Sequence, residues 1–235
     1  MSINKQSNIY TVIYIIVLVV IVGAMLAWTA MSLKPYQTKN ISADKMRQIL
    51  ASVHVTAGND VVEQFDALIV EQFIVNAEGQ RVDGDAFDVD VAAQVKLPDA
   101  ERQLPVYVCQ LPEESGKKYI LPMYGAGLWG PIWGYIAINS DGKTIYGAYF
   151  AHQGETPGLG AEIEKPAFSN QFDGKSLFPQ GSFMPVAVLK KGLKPAPGQD
   201  YVDAISGGTI TSSGVSAMIA NSLTPYQQFL STLND

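Results

Sequence analysis

Near its end the chain reads Asp203-Ala-Ile-Ser-Gly-Gly-Thr-Ile-Thr-Ser-Ser-Gly-Val215, a run of small hydroxyl side chains around the pair Gly207-Gly208. Adjacent glycines let the backbone take left-handed or crowded conformations and come close to a ligand, so that successive N–H groups can converge on an anion. Beyond them Val215, Met218, Ile219 and Leu223 recur at helical spacing, so the loop feeds a helix N-terminus, where backbone N–H groups favour negative charge. Ser206, Gly207, Gly208 and Thr209 therefore suit a phosphate group. A Ser- or Thr-capped start of an ordinary helix is the plainer alternative, and these residues alone leave both open.

A second stretch, His152-Gln-Gly-Glu-Thr-Pro-Gly-Leu-Gly-Ala-Glu-Ile163, places three glycines and a proline after an apolar run. Such a loop offers backbone donors and acceptors with little side-chain bulk, which suits hydrogen bonding along the edge of a flat heterocycle. Thr156 and Leu159 can pack on a ring face, and Pro157 stiffens the loop; an irregular connection is the alternative. Other chemistry is poorly provided for. Cys109 is the single cysteine, and His54 and His152 lie far apart, so no Cys/His metal cluster is expected, and a buried structural cysteine is the simpler reading. His152 is expected to have a hydrogen-bonded structural role, since no nucleophile elbow of the Gly-x-Ser-x-Gly type accompanies it. Gly142-Lys143-Thr144 resembles the end of a P-loop, but Ala137 stands where the first glycine is required, and the lysine falls in a hairpin turn.

The elements that must position these loops read as α+β. "WGYIAINSDGKTIYGAYFA" predicts two strands around Asp141-Gly142, a strong hairpin signal. From Val61 onward the texture is strand-like: "ALIVEQFIVNAEGQRV" predicts two strands around Asn76 to Gly79, followed by "VYVCQL" and "KKYILPM". The expectation is one domain over residues 59–235, an antiparallel sheet with flanking helices. Ahead of it, "IYTVIYIIVLVVIVGAMLAW" has the apolar length of about 20 residues that a membrane-crossing helix needs. The expected order is a tail at 1–8, a transmembrane helix at 9–33, and a linker at 34–58 containing a short helix capped by Ser42. Net charge is −6 and the basic residues are scattered, which argues against nucleic acid as a partner. Counted as positive charge, Lys34, Lys39, Lys45 and Arg47 against Lys5 would keep the long domain inside.

Asp203-Ala-Ile-Ser-Gly-Gly-Thr209 closely resembles the flavinylation motif Asp-x-x-Ser/Thr-Gly-Ala-Thr of FMN-binding domains. With the N-terminal helix, "GLWGPIWGYIAI" and "GETPGLGAEI", the chain resembles, over nearly all its length, the C-subunit family of the sodium-translocating NADH:quinone oxidoreductase. That resemblance implies FMN joined to Thr209 by a phosphoester, placed there by a separate flavin transferase that reads Asp203 and Ser206. It implies a phosphate resting near Gly207, Gly208 and the helix start, with Thr211 or Ser212 adding a hydroxyl. The isoalloxazine would lie against Glu155, Thr156, Gly158 and Leu159, with Trp129 as a further contact. Gly208 departs from the motif's alanine; glycine takes any backbone angle alanine can, so the site is expected to survive with a more flexible loop.

The family further implies an electron carrier within a complex of several subunits in the bacterial inner membrane that couples NADH oxidation by quinone to sodium export. The FMN domain would lie on the periplasmic side, against the lysine count. Two rivals stand beside this reading: a G-type flavinylated carrier of the ferredoxin-linked (Rnf) complex, and a membrane-anchored binding protein without redox function.

Overall fold

The computed structural model describes residues 8–233. Most of the expected tail, including Lys5, lies outside the described residues. The chain divides into two units, residues 1–45 and 46–235.

Helix α1, Asn8–Ala51, supplies the first unit and enters the second. Its N-terminal part is long and apolar enough to cross a membrane, with a mean hydropathy of 2.8 over its most apolar stretch, and Trp28 is exposed. Thr29, Ser32 and Thr38 turn their hydroxyls back onto the carbonyls of Met25, Trp28 and Lys34, which satisfies these polar side chains within the helix. Two sequence expectations change here. The helix does not stop near residue 33 but continues through Pro35, and Ser42 lies within it rather than capping a new one. The folded body also begins at Met46 rather than at 59. Ile49 and Leu50, at the end of α1, are buried in that body, and Gln48 accepts a hydrogen bond from the Trp133 indole N–H at 2.9 Å.

In the body, α2 (Val61–Leu68) precedes β1 (Ile69–Val75), so the strand-like texture read from Val61 begins as a helix. Val61 and Phe65, one turn apart, are its buried side. The strands β2 (Arg81–Val82), β3 (Leu104–Cys109), β4 (Lys118–Ala126), β5 (Pro131–Asn139) and β6 (Ile145–His152) complete one antiparallel sheet in the order β2-β1-β3-β4-β5-β6. A single helical turn, α3 (Val91–Gln94), lies between β2 and β3. The β5–β6 turn is fixed by its sequence: Gly142 has φ +64, and the Asp141 carboxylate accepts from the N–H groups of Lys143 and Thr144 and from the Thr144 hydroxyl.

After β6 come the short α4 (Pro166–Ser169), then β7 (Ala187–Leu189) and β8 (Tyr201–Asp203), which pair in parallel as a separate two-stranded sheet. Helices α5 (Thr209–Leu223) and α6 (Gln227–Thr232) close the described chain. Val215, Met218, Ile219 and Leu223 of α5 pack into the core that includes Leu121, Met123 and Ile132 of the sheet. Gly125 of β4 faces Met218, and Gly214 of α5 faces the Ala126 carbonyl, so the absence of Cβ at both positions lets helix and strand approach closely. A trio of rings, Phe150, Phe168 and Phe172, with centroids 5.0 to 5.6 Å apart, fills the space under α4.

Candidate functional site

Three loops meet at the start of α5. The first is the 204–208 segment between β8 and α5. A turn closed by Gly208 N–H to the Ile205 carbonyl, 3.0 Å, requires a positive φ at Gly207, which has +77°. Gly208 then occupies the N-cap position with φ −103°, and no side chain caps the helix. The Ser212 hydroxyl accepts from the Ile205 N–H at 3.0 Å, and the Gly208 carbonyl takes the first helical bond from Ser212 N–H. Among the described residues the N–H groups of Thr209, Ile210 and Thr211 have no acceptor within the chain, as expected for the first turn of a helix. Ser206 and Thr209 are exposed, with Thr209 the first residue of α5.

The second loop follows β6. Leu159 and Ala161 donate to the Thr156 carbonyl, Gly158 has φ +76, and its N–H is taken by the Glu162 carboxylate. Thr156, Gly158 and Leu159 are exposed. The loop rests on the first: a Cβ on Gly207 would come within 2.6 Å of Leu159 Cδ2, and one on Gly208 within 3.2 Å of the Gly160 nitrogen. The third loop is the β4–β5 turn, closed by Gly127 N–H to the Gly130 carbonyl at 2.8 Å and carrying Trp129, 69% exposed. Trp129 is thus available to a ligand rather than part of the core.

Glu155 joins all three. Its side chain is buried, one oxygen accepting the Trp129 N–H at 2.9 Å and the other the Thr211 hydroxyl at 2.5 Å. Burial alone would raise its pKa, but the Thr211 hydroxyl, the N–H groups of Trp129 and Leu128 and the nearby His152 outweigh it and hold the carboxyl below the usual carboxylate range. His152 has the structural role expected of it: its Nδ1 accepts the Glu155 N–H at 3.0 Å, and Nε2 lies 3.7 Å from Glu164. Cys109 is buried, and burial pushes its thiol up to about 11.

The structure therefore brings Ser206, Gly207, Gly208, Thr209, Thr156, Gly158, Leu159 and Trp129 to one place. It gives Glu155 and Thr211, also expected as cofactor contacts, each other as partners. Asp203 stands apart. It is exposed, its N–H is held by the Gln171 side chain at 2.9 Å, and it lines a separate cavity of about 340 Å³ with Gln171, Lys175, Tyr201 and Val202. Ile210, 59% exposed beside Thr209, is an apolar residue of the site that its sequence position within a hydroxyl run concealed.

An exposed threonine thus opens a helix directly behind a Gly-Gly turn, and that turn lies against the exposed Leu159. The FMN-binding domain family matches residues 127–224, which span all three loops. Over 231 residues, covering 92% of this chain and 90% of the relative, the sequence is 32% identical to the C subunit of the Na(+)-translocating NADH-quinone reductase of Vibrio anguillarum. The chain belongs to this C-subunit family. A second C subunit, from Yersinia pestis, is 34% identical over 233 residues, 90% of this chain and 87% of that one. The crystal structure of the Parabacteroides distasonis C subunit is 52% identical and superposes with a TM-score of 0.79, covering 84% of this chain and 96% of that one. Shewanella oneidensis NqrC, at 27% identity, gives 0.66 over 83% and 98%. Membership of the family thus rests on nearly the whole chain and not on the threonine motif alone.

Proposed function

We propose that the chain is the membrane-anchored flavoprotein subunit of a sodium-translocating NADH:quinone reductase, with FMN joined through a phosphoester to Thr209, and that it relays electrons to neighbouring subunits. The observation that carries this reading is the exposed Thr209 at the first position of α5, directly behind Gly207-Gly208 and against Leu159. The residues fit the group. The acceptor-free N–H groups of Thr209 to Thr211 and the positive end of α5 suit the one negative charge left on a phosphodiester. Leu159, Trp129 and Ile210 provide apolar surface for the ring system, and the loop's glycines let the backbone approach its polar edge.

When bound, FMN supplies the electron-transfer chemistry; the chain binds, orients and shields it. In this reading a separate flavin transferase activates the exposed Thr209 hydroxyl, a poor nucleophile by itself, and attaches the flavin. Joining the alcohol to phosphorus forms one P–O bond, breaks another and releases the hydroxyl proton, so the flavin phosphate must reach the transferase carrying a leaving group. The exposure of Asp203, Ser206 and Thr209 supports access by such an enzyme. A covalent tether keeps the cofactor with the protein where free FMN is not replenished, in line with a domain on the periplasmic side of the inner membrane. Glu155 and Thr211 serve in this reading as supports of the site. The test is flavin fluorescence of the denatured full chain, purified from its native membrane and separated by size. The band is expected to fluoresce at the mass of this chain and to be dark in Thr209→Ala; a dark wild-type band would refute the covalent reading.

A further inference from the structure

Glu155 is 5% exposed, and on its own loop its carboxylate is a meeting point of donors from the two other segments: the N–H groups of Trp129 and Leu128 from the β4–β5 turn and the hydroxyl of Thr211 from the first turn of α5. Its own N–H is fixed on His152 Nδ1. Room for this arrangement is made by glycine. A Cβ on Gly127 would stand 2.5 Å from one carboxylate oxygen, and one on Gly160 would press on the other oxygen and on the Thr211 hydroxyl. Nothing in the arrangement leaves the carboxylate free to touch a ligand. Yet Thr211 lies two residues beyond Thr209 on the same helical turn, Trp129 is the exposed ring of the third loop, and Leu159, four residues beyond Glu155, is the side chain that meets Gly207.

We propose that Glu155 is a positioning residue for the flavin: its carboxylate locks the 127–130 turn, the 155–160 loop and the first turn of α5 into one frame, and so fixes Trp129 and Leu159 relative to the tether at Thr209. The proposal rests on the FMN reading above. Its chemical logic is that the backbone N–H groups converging on Glu155 can only donate and the Thr211 hydroxyl donates to it as well, so an ionised carboxylate ties all of them with charge-assisted hydrogen bonds. Glutamine has the same shape but no charge: its carbonyl holds the Trp129 N–H as a neutral hydrogen bond, and its NH₂ meets Thr211 only if the hydroxyl turns to accept, so the ties between the loops weaken.

The test uses the full chain in detergent, produced with a flavin transferase, as wild type, Glu155→Gln, Thr211→Val, Thr211→Ser and the Glu155→Gln/Thr211→Val double variant. Three quantities are read: FMN per chain by mass, circular dichroism of the flavin bands per bound FMN, and amide exchange of Leu128 and Trp129. FMN is expected to remain on Thr209 throughout. Flavin dichroism is expected to fall in Glu155→Gln and in Thr211→Val, to stay near wild type in Thr211→Ser, which keeps the hydroxyl, and to fall no further in the double variant than in Glu155→Gln. Exchange of the two amides in Glu155→Gln should be about tenfold faster, the scale of replacing a charge-assisted hydrogen bond by a neutral one. Wild-type dichroism in Glu155→Gln, or losses that add in the double variant, would overturn the proposal. Should Glu155→Gln fail to fold, the Thr211→Val and Thr211→Ser pair decides alone. A wild-type chain without FMN would instead refute the flavin reading and with it the flavin role of Glu155, while amide exchange would still decide whether the lock between loops exists.

Discussion

The Gly207-Gly208 pair separates two reasons for glycine, and alanine substitution should reveal them as unequal effects on stability. At Gly207 φ is +77°, where an L-residue costs about 1–2 kcal/mol. The added Cβ would also lie 2.6 Å from Leu159 Cδ2, but that is the free end of a side chain 42% exposed, which can swing away. Gly208 has φ −103° and ψ 36°, in the bridge region open to other residues. Its Cβ would meet Ile205 at 3.1 Å and the Gly160 nitrogen at 3.2 Å, requiring a shift of tenths of an ångström. That strain is set against the gain of about 0.4–1 kcal/mol from a less flexible unfolded chain. Gly207→Ala is therefore expected to cost about 1–2 kcal/mol, a factor of about 5 to 30 in the folded-to-unfolded ratio. Gly208→Ala, which restores the motif's usual residue, should fall near zero. Urea unfolding of the full chain in micelles, followed by tryptophan fluorescence, measures both; with a slope of about 2 kcal/mol per molar the two midpoints should differ by roughly 0.5–1 M. Equal midpoints, or a lower one for Gly208→Ala, would refute the backbone argument.

Three further outcomes follow from the packing and charge. Gly214→Ala, which in an exposed helix would gain about 1 kcal/mol, should instead destabilise by about 1–3 kcal/mol, because its Cβ would run into the Ala126 carbonyl; the urea midpoint gives the sign. Glu155 has a folded pKa below its unfolded value of about 4.3, so its contribution to stability is complete above that value and is lost as pH falls through the folded pKa; Glu155→Gln should flatten this part of the acid limb of a midpoint-against-pH plot. Cys109, buried and with its thiol pushed up to about 11, should resist alkylation at about pH 8 in the native chain and react once when the chain is unfolded, as counted by intact mass.

The sheet was legible in the sequence wherever turn chemistry marks it. Asp141-Gly142 and Asn76 to Gly79 sit in turns with positive φ at Gly142 and Gly79, and the strands beside them lie where alternation places them. The α2 helix was hidden because Val61 and Val62 are β-branched; the burial of Val61 and Phe65 on one side, which only the tertiary structure supplies, decides in its favour. Ser42 reads as a cap, yet α1 passes through it and through Pro35, since local signals bias a helix without compelling its end. Strands β7 and β8, three residues each, are too short for periodicity to reveal, and their parallel pairing departs from the antiparallel expectation. At the site, the exposed loop residues and Thr209 were legible because glycine and hydroxyl spacing is local. The tie between Glu155 and Thr211 was not, because the partners are 56 residues apart and meet only when β6 and α5 pack.

The most direct measurement is peptide-level mass across Asp203 to Leu223 in the chain purified from its native membrane, with Thr209→Ala beside it. The account predicts the mass of one FMN, joined with loss of water, localised to Thr209 and absent from the variant. An unmodified Thr209 in the native chain, or the same added mass on another residue of the peptide, would contradict it.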